Sequence, residues 1–255
     1  MKRLFPILSI LWISLLAACS KLDMPEPGTY RACVKLRGGE APFQLQISEQ
    51  HGSTLIGILH DGELQPATHL TVQDGQLTAQ LPDAAGTLHA RIGRGILTGE
   101  VRITDPQGQS QTLPFTAERD RHDRFVAEAS TDNADVTGYW LLDAPGSFPA
   151  PVTLQMNQHF DAVDGQLHLP DGSTAFLLGQ THNDTVYLSA LGQGRAMLFK
   201  GSVNEHGELQ GELWVNLSNA IPAVARRMTD EQAAALQDSE EQVRKVALPW
   251  NIPMR

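Results

Sequence analysis

Two glutamates occupy matching positions in the two halves of this chain and could form a catalytic pair. Glu100 and Glu212 each follow a glycine and precede an apolar residue. Paired carboxylates can act as general acid and general base. However, Leu97, Gly99 and Val101 alternate as one face of a strand, which puts Glu100 on the opposite face. The same holds for Glu212, so we expect both side chains to be solvated and not catalytic.

The histidines and serines show no spacing that is typical of an active site. None of the nine histidines forms a His-x-x-x-His pair, and no Cys-x-x-Cys or other zinc-ligand spacing occurs. A Gly-x-Ser-x-Gly elbow and a phosphate-cradling glycine loop are also missing. The sequence therefore predicts neither a metal site, nor a cofactor, nor an enzyme.

Only two cysteines are present, Cys19 and Cys33. Cys33 lies between Ala32 and Val34 in an alternating segment, which favours a small buried side chain. The alternative is a reactive thiol that forms mixed disulfides with a partner. If Cys19 is modified, Cys33 has no partner for a disulfide within the chain.

The N-terminal segment has the pattern of an export signal. Lys2 and Arg3 precede an apolar run over residues 4–18. As a helix this run would span ~22 Å, less than the ~30 Å hydrocarbon core of a bilayer. It ends in Leu16-Ala17-Ala18-Cys19, which resembles the lipobox of bacterial lipoproteins. An ordinary cleaved signal peptide with an accidental cysteine is the alternative.

The lipobox resemblance implies that residues 1–18 are removed and that Cys19 carries the lipid. Several acyl chains on one residue give stable anchoring. Ser20 follows the cysteine where an Asp would retain a lipoprotein in the inner membrane, so the resemblance implies an outer-membrane anchor facing the periplasm. Residues 19–27 contain Pro25 and Pro27 and are typical of a tether.

Charge excludes one class of partner. The chain has 255 residues, with 19 basic and 29 acidic side chains. Removal of Lys2 and Arg3 with the signal leaves 17 − 29 = −12. An acidic chain without a basic cluster argues against nucleic-acid binding. Its length fits one large or two small domains.

Residues 28–118 alternate between apolar and polar side chains, as in Phe43, Leu45 and Ile47. This period predicts half-buried antiparallel strands, about eight in number. Turn dipeptides such as Asp74-Gly75 separate them. Residues 119–137 are charged and then small and polar, which is typical of a linker.

The same pattern returns in residues 138–228. Four blocks match between the halves, and they begin at residues 28 and 138, 42 and 151, 74 and 183, and 97 and 209, at offsets of 110, 109, 109 and 112. Near-constant spacing indicates an internal duplication. We therefore predict an all-β fold of two tandem meander or barrel-like modules. One merged sheet system is the alternative.

Residues 229–255 differ from the rest. Thr229-Asp230-Glu231-Gln232 is a capping box and precedes three alanines, which predicts a C-terminal helix. An apolar tail with Trp250 follows, and we expect the helix and tail to contact the body or an envelope protein partner.

Aromatic residues concentrate in the second module. If it holds a ligand cavity, the candidate lining residues are Trp140, Phe176, Tyr187, Phe199 and Trp214. A bulkier core is the alternative interpretation.

Several short segments resemble the β-rich region that precedes the thioredoxin domain in some thioredoxin-like disulfide reductase lipoproteins. They are Gly28-Thr29-Tyr30-Arg31, residues 38–43, Asp61-Gly62-Glu63, residues 113–117, Gly138-Tyr139-Trp140 and Ala225-Arg226-Arg227. The likeness covers residues 28–240. The chain contains no redox cysteine pair, so the resemblance implies the accessory module and not reductase activity.

Together these observations predict a lipid-anchored envelope protein with a non-enzymatic binding or scaffolding role. The alternative is a carrier of a small apolar ligand in a barrel cavity of the second module. An enzyme whose site assembles only in three dimensions is a third hypothesis.

Overall fold

A computed structural model describes residues 24–60, 62–128, 130 and 132–236. The first unit forms one nine-stranded antiparallel sheet. Its strands are β1 (Gly28–Leu36), β2 (Gly39–Gln50), β3 (Ser53–His60), β4 (Glu63–Pro66), β5 (Thr68–Gln73), β6 (Gln76–Leu81), β7 (Gly86–Gly93), β8 (Ile96–Thr104) and β9 (Ser110–Arg119).

The second unit is a closed eight-stranded barrel in which each strand pairs with the next and the last pairs with the first. Its strands are β10 (Gly138–Asp143), β11 (Val152–His159), β12 (Ala162–His168), β13 (Thr174–His182), β14 (Thr185–Gly192), β15 (Arg195–Val203), β16 (Leu209–Val215) and β17 (Ile221–Arg227). The predicted all-β fold of two barrel-like modules is therefore confirmed, and the merged-sheet alternative is wrong.

The first sheet curls in the same way but does not close. Its order is β4-β3-β2-β1-β9-β8-β7-β6-β5, so its two edge strands are consecutive in the chain and only Ala67 separates them. Counted from either end of each unit, β4 and β5 together take the place of β13. The first unit is thus an eight-strand meander whose fourth strand is broken in two. This break explains why it has nine strands where about eight were predicted.

Each unit has an apolar core made by the inward faces of its strands. Tyr30, Leu45, Leu97 and Phe115 are among the fully buried side chains of the first core. Trp140 and Met156 hold the same place in the second. Burial of such side chains is the main favourable term in folding.

The β14–β15 hairpin joins the two units. Its turn donates backbone hydrogen bonds from Gln193 and Gly194 to the carbonyls of Asp83 and Ala84, over 2.6 and 3.0 Å. Three apolar side chains of the hairpin belong to the core of the first unit, namely Leu191, Ala196 and Leu198. The first core is therefore completed by residues of the second unit.

The described residues of the segment 120–137 form no strand, and this segment is held by both units. Arg31, which is 7% exposed, donates to the carbonyl oxygens of Asp123 and Arg124 over 2.8 and 2.9 Å. From the second unit, Gln180 Oε1 accepts hydrogen bonds from the backbone N–H groups of Phe125 and Val126, each over 2.8 Å. These contacts fix the connection between the units.

A short helix, α1, spans residues 230–236. The backbone N–H of Gln232 donates to Thr229 Oγ1 over 3.3 Å, and that of Thr229 donates to Gln232 Oε1 over 2.9 Å. This reciprocal pair confirms the predicted capping box. Within the described residues, no helix has both the length and the apolar character to cross a bilayer.

Candidate functional site

The interior of the second barrel is filled by its own side chains. The remaining cavity has a volume of about 30 Å³ and is lined by apolar residues such as Leu142, Leu154 and Leu209. That is room for roughly one or two water molecules, whereas small-molecule pockets measure roughly 300–1,000 Å³. An eight-stranded barrel is just wide enough to be filled in this way.

Two of the five predicted lining residues point into this barrel. Phe199 is 3% exposed and borders the small cavity. Trp140 is 1% exposed, and its indole N–H donates to the Val136 carbonyl over 2.8 Å. The guanidinium of Arg227 lies 4.4 Å above the Trp140 ring. Both aromatics serve as core, as the alternative interpretation holds.

The other three predicted residues, Phe176, Tyr187 and Trp214, lie outside the barrel, so they do not line its interior. Phe176 stacks on His60 of the first unit, with 4.0 Å between ring centroids. Tyr187 stacks on Phe125 of the connecting segment at 5.4 Å. The Trp214 ring occupies the space that a side chain at Gly38 would need. Their strand positions have the outward parity, because Val186 and Leu188 on either side of Tyr187 point inward.

A first candidate site, the junction pocket, lies where the two units and the connecting segment meet. It has a volume of about 280 Å³ and is bordered by Glu40, Phe125, Tyr187 and Lys200. The Lys200 ammonium lies 5.4 Å from the centroid of the Tyr187 ring. The pocket combines an aromatic wall with one exposed cation and one half-exposed carboxylate.

A second candidate site, the polar groove, runs over the outer face of β11 and β12. Its volume is about 370 Å³, and its lining includes His60, Gln155, Asn157, Asp164 and Gln166. Gln155 pairs in register with Gln166, and Asn157 with Asp164, so four polar side chains form two neighbouring cross-strand pairs. His60 reaches the groove from the first unit.

Charge in the polar groove is balanced. Asp164 Oδ2 accepts a hydrogen bond from Arg124 Nη2 over 2.8 Å. The same guanidinium donates to the Val163 carbonyl over 2.6 Å. Apart from the histidines, Asp164 is the one ionisable residue among the described residues that line the groove. The groove therefore presents mainly neutral amides.

The remaining chemistry-bearing residues are inert or solvated. Cys33 is 5% exposed, its Sγ lies 3.1 Å from Thr116 Oγ1, and burial raises the pKa of the thiol. Glu100 and Glu212 are exposed. No group of three metal-ligating side chains comes together among the described residues. Cys19 and the Trp250 tail lie outside the described residues.

Comparison with known protein families and with curated proteins finds no significant match for this chain.

Proposed function

We propose that this chain is a lipid-anchored protein of the cell envelope that binds an envelope component through its outer surface. One observation carries the binding part of this proposal. The barrel interior leaves about 30 Å³, while the junction pocket and the polar groove on the outside have about 280 and 370 Å³. An occupant of ligand size fits only outside.

The anchoring part rests on the lipobox resemblance at Cys19. The test is metabolic labelling with an alkyne fatty acid, followed by fractionation of the envelope. We expect wild-type protein to be labelled and to sediment with the outer membrane, and Cys19→Ser to lose both properties. Cys33→Ser is the matched control, because the Cys33 side chain is buried against Thr116 in the first unit. Equal labelling of Cys19→Ser and wild type would contradict lipid attachment at this residue.

The binding part is tested by photo-crosslinking in cells with benzoylphenylalanine. Lys200 lies in the junction pocket and Asn157 in the polar groove, whereas Gln76 is exposed and lines neither site. Crosslinked species that form from positions 200 or 157, and not from 76, support surface binding. If neither pocket position gives a product that position 76 lacks, the proposed binding surface is wrong.

The C-terminal helix and tail remain a proposed contact for an envelope protein partner. Deletion of residues 237–255 tests this point separately, because it leaves both candidate sites intact. Loss of a crosslinked product on deletion would assign that contact to the tail, and an unchanged set of products would argue against it.

Carriage of a small apolar ligand within the second barrel is the weaker hypothesis. It requires displacement of packed side chains such as Phe199, because the existing cavity is too small.

A further inference from the structure

We infer that the polar groove binds a neutral, polyhydroxylated ligand of the oligosaccharide class. This inference names a ligand for the proposed binding role and therefore rests on it. Four features of the groove carry it: its size, its unengaged amides, its balanced charge and its closed strand edges.

The groove offers hydrogen-bonding groups that the protein itself does not use. Within the part of the chain that the structure describes, the side chains of Gln155, Asn157 and Gln166 make no hydrogen bond or ion pair. Each amide supplies two N–H donors and one carbonyl acceptor. A sugar hydroxyl is both donor and acceptor, so a row of amides is complementary to a row of hydroxyls.

The spacing of these groups fits a ligand that extends along the strands. The Gln155–Gln166 pair and the Asn157–Asp164 pair are two residues apart on β11 and β12, about 7 Å along a strand. His60 borders the same groove, and its ring is fixed by stacking on Phe176.

Charge and topology disfavour the other ligand classes. Arg124 already neutralises Asp164, and among the described residues no lysine or arginine lines the groove, so an anionic ligand would find no free lysine or arginine in that lining. Both β11 and β12 pair with neighbours on each side, so a peptide cannot add as a further strand. The polar lining gives an apolar ligand little surface to bury.

The first unit contains the corresponding glutamine in a structural role, with its side-chain amide hydrogen-bonded inside the protein. Gln46 stands 109 residues before Gln155, at the corresponding place on β2. Its Oε1 accepts from Thr29 Oγ1 over 2.7 Å, and its Nε2 donates to the Ile47 carbonyl over 3.2 Å. Gly57 lies opposite it in register, where the second unit has Gln166. The first unit thus satisfies its glutamine, and the second leaves the pair available.

The test is calorimetric titration of the full chain, purified in detergent, with three neutral probes: triacetylchitotriose, maltotriose and cellotriose. We expect saturable binding of at least one, and about a tenfold loss of affinity for Gln155→Ala/Gln166→Ala. Gln76→Ala, on an exposed strand face of the first unit, is the matched control and should bind as wild type. Gln166→Glu keeps the size of the side chain and removes its two N–H donors, so it should also weaken binding. It serves as the test variant if the double variant does not fold.

Three results would overturn the inference. One is the absence of heat with all three probes at millimolar concentration. A second is equal affinity of wild type, Gln166→Glu and the double variant, which would place the sugar elsewhere. The third is tighter binding of a neutral Gly-Ser peptide than of any sugar. Each leaves the anchoring and crosslinking tests unaffected, so failure of this inference is distinguishable from failure of the proposed function.

Discussion

The first and second units share an arrangement of three residues, an aromatic, an arginine and a glycine, at the point where the first and last strands pair. Tyr30 donates through its hydroxyl to the carbonyl four residues earlier, Glu26, over 2.7 Å. Trp140 does the same through its indole to Val136. Each aromatic is in register with an arginine of the last strand, Arg119 for Tyr30 and Arg227 for Trp140.

A glycine two residues before each aromatic makes room for that arginine. A Cβ on Gly28 would lie 2.9 Å from Arg119 Cδ, and one on Gly138 would lie 3.1 Å from Arg227 Nη1. Both glycines have positive φ, at 149° and 120°. Arg119 and Arg227 add a fifth matching position to the four blocks, at an offset of 108, and support an internal duplication.

The units differ in their fourth strand. In the second unit β13 pairs along its length with β12 and β14, so the barrel has no edge. In the first unit the corresponding segment breaks at Ala67, and its halves pair with different neighbours. Closure removes strand edges that could pair with other chains. The comparison shows that closure by hydrogen bonds is not needed to hold the shared aromatic and arginine together.

The largest effect is expected from truncation of either matched aromatic, Tyr30 or Trp140, because both side chains are fully buried. Tyr30→Ala and Trp140→Ala should each lower the free energy of unfolding by about 3–5 kcal/mol. Urea unfolding monitored by circular dichroism measures this. Phe160→Ala is the control, since Phe160 is 94% exposed and its loss should cost no more than about 0.5 kcal/mol. If only one of the two variants lowered the free energy of unfolding by this amount, the two aromatics would not be equivalent.

The matched arginines should differ in cost. Arg227 packs over Trp140 and donates to the carbonyls of Asp135 and Thr137, so Arg227→Ala should cost about 1–2 kcal/mol. Arg119 pairs with Glu26 and Asp120 at a partly exposed site, so Arg119→Ala should cost less than about 1 kcal/mol. Unfolding in 1 M NaCl separates the mechanisms, because salt screens only the ion pairs. A salt-sensitive effect at Arg227 would contradict this assignment.

The matched glutamines sharpen the comparison on the outer face. Gln46→Ala removes two hydrogen bonds and should cost about 1 kcal/mol. Gln155→Ala removes none within the described residues and should change the free energy of unfolding by no more than about 0.5 kcal/mol. Thermal unfolding of both variants in the same buffer is sufficient. If Gln155→Ala destabilises as much as Gln46→Ala, the groove amides are structural.

The smallest effect is a pH dependence confined to the first unit. Burial raises the pKa of Cys33 above its ordinary value of 9.0, so the folded state keeps the thiol protonated where the unfolded state loses the proton. Its stabilisation is complete below pH 9 and is lost as pH rises above it. Stability of wild type should fall between pH 8 and pH 10 by slightly more than that of Cys33→Ala, which isolates this contribution from that of Tyr30. Parallel profiles would contradict it.

Local patterns predicted the strands and turns well. Leu97 and Val101 point inward and Glu100 outward, as the period-two alternation indicates. Asp74-Gly75 lies in the turn between β5 and β6, and Asp74 has the positive φ that such turns favour. Alternation and turn chemistry act over a few residues, which is why the sequence alone contains enough information for them.

The junction of the units was harder to predict, because it depends on outward-facing residues. The β14 strand has apolar side chains on both faces, Leu188 inward and Tyr187 and Leu191 outward. A strand that is apolar on both faces is typical of burial on both sides. That signal indicates a covered outer face but not what covers it. The polar groove needs His60 beside β12, a contact between residues about a hundred positions apart, and no local pattern encodes it.

The three side chains of the β14–β15 hairpin that lie in the first core also affect the order in which the two units can fold. A chain that emerges from its N-terminus presents the first unit first, and domains generally fold in that order. Here Leu191, Ala196 and Leu198 complete the first core, and they emerge only after the connecting segment and half of the second unit. The first unit therefore keeps an uncovered apolar end until the β14–β15 hairpin has formed, and an intermediate with such exposed apolar surface is prone to aggregate.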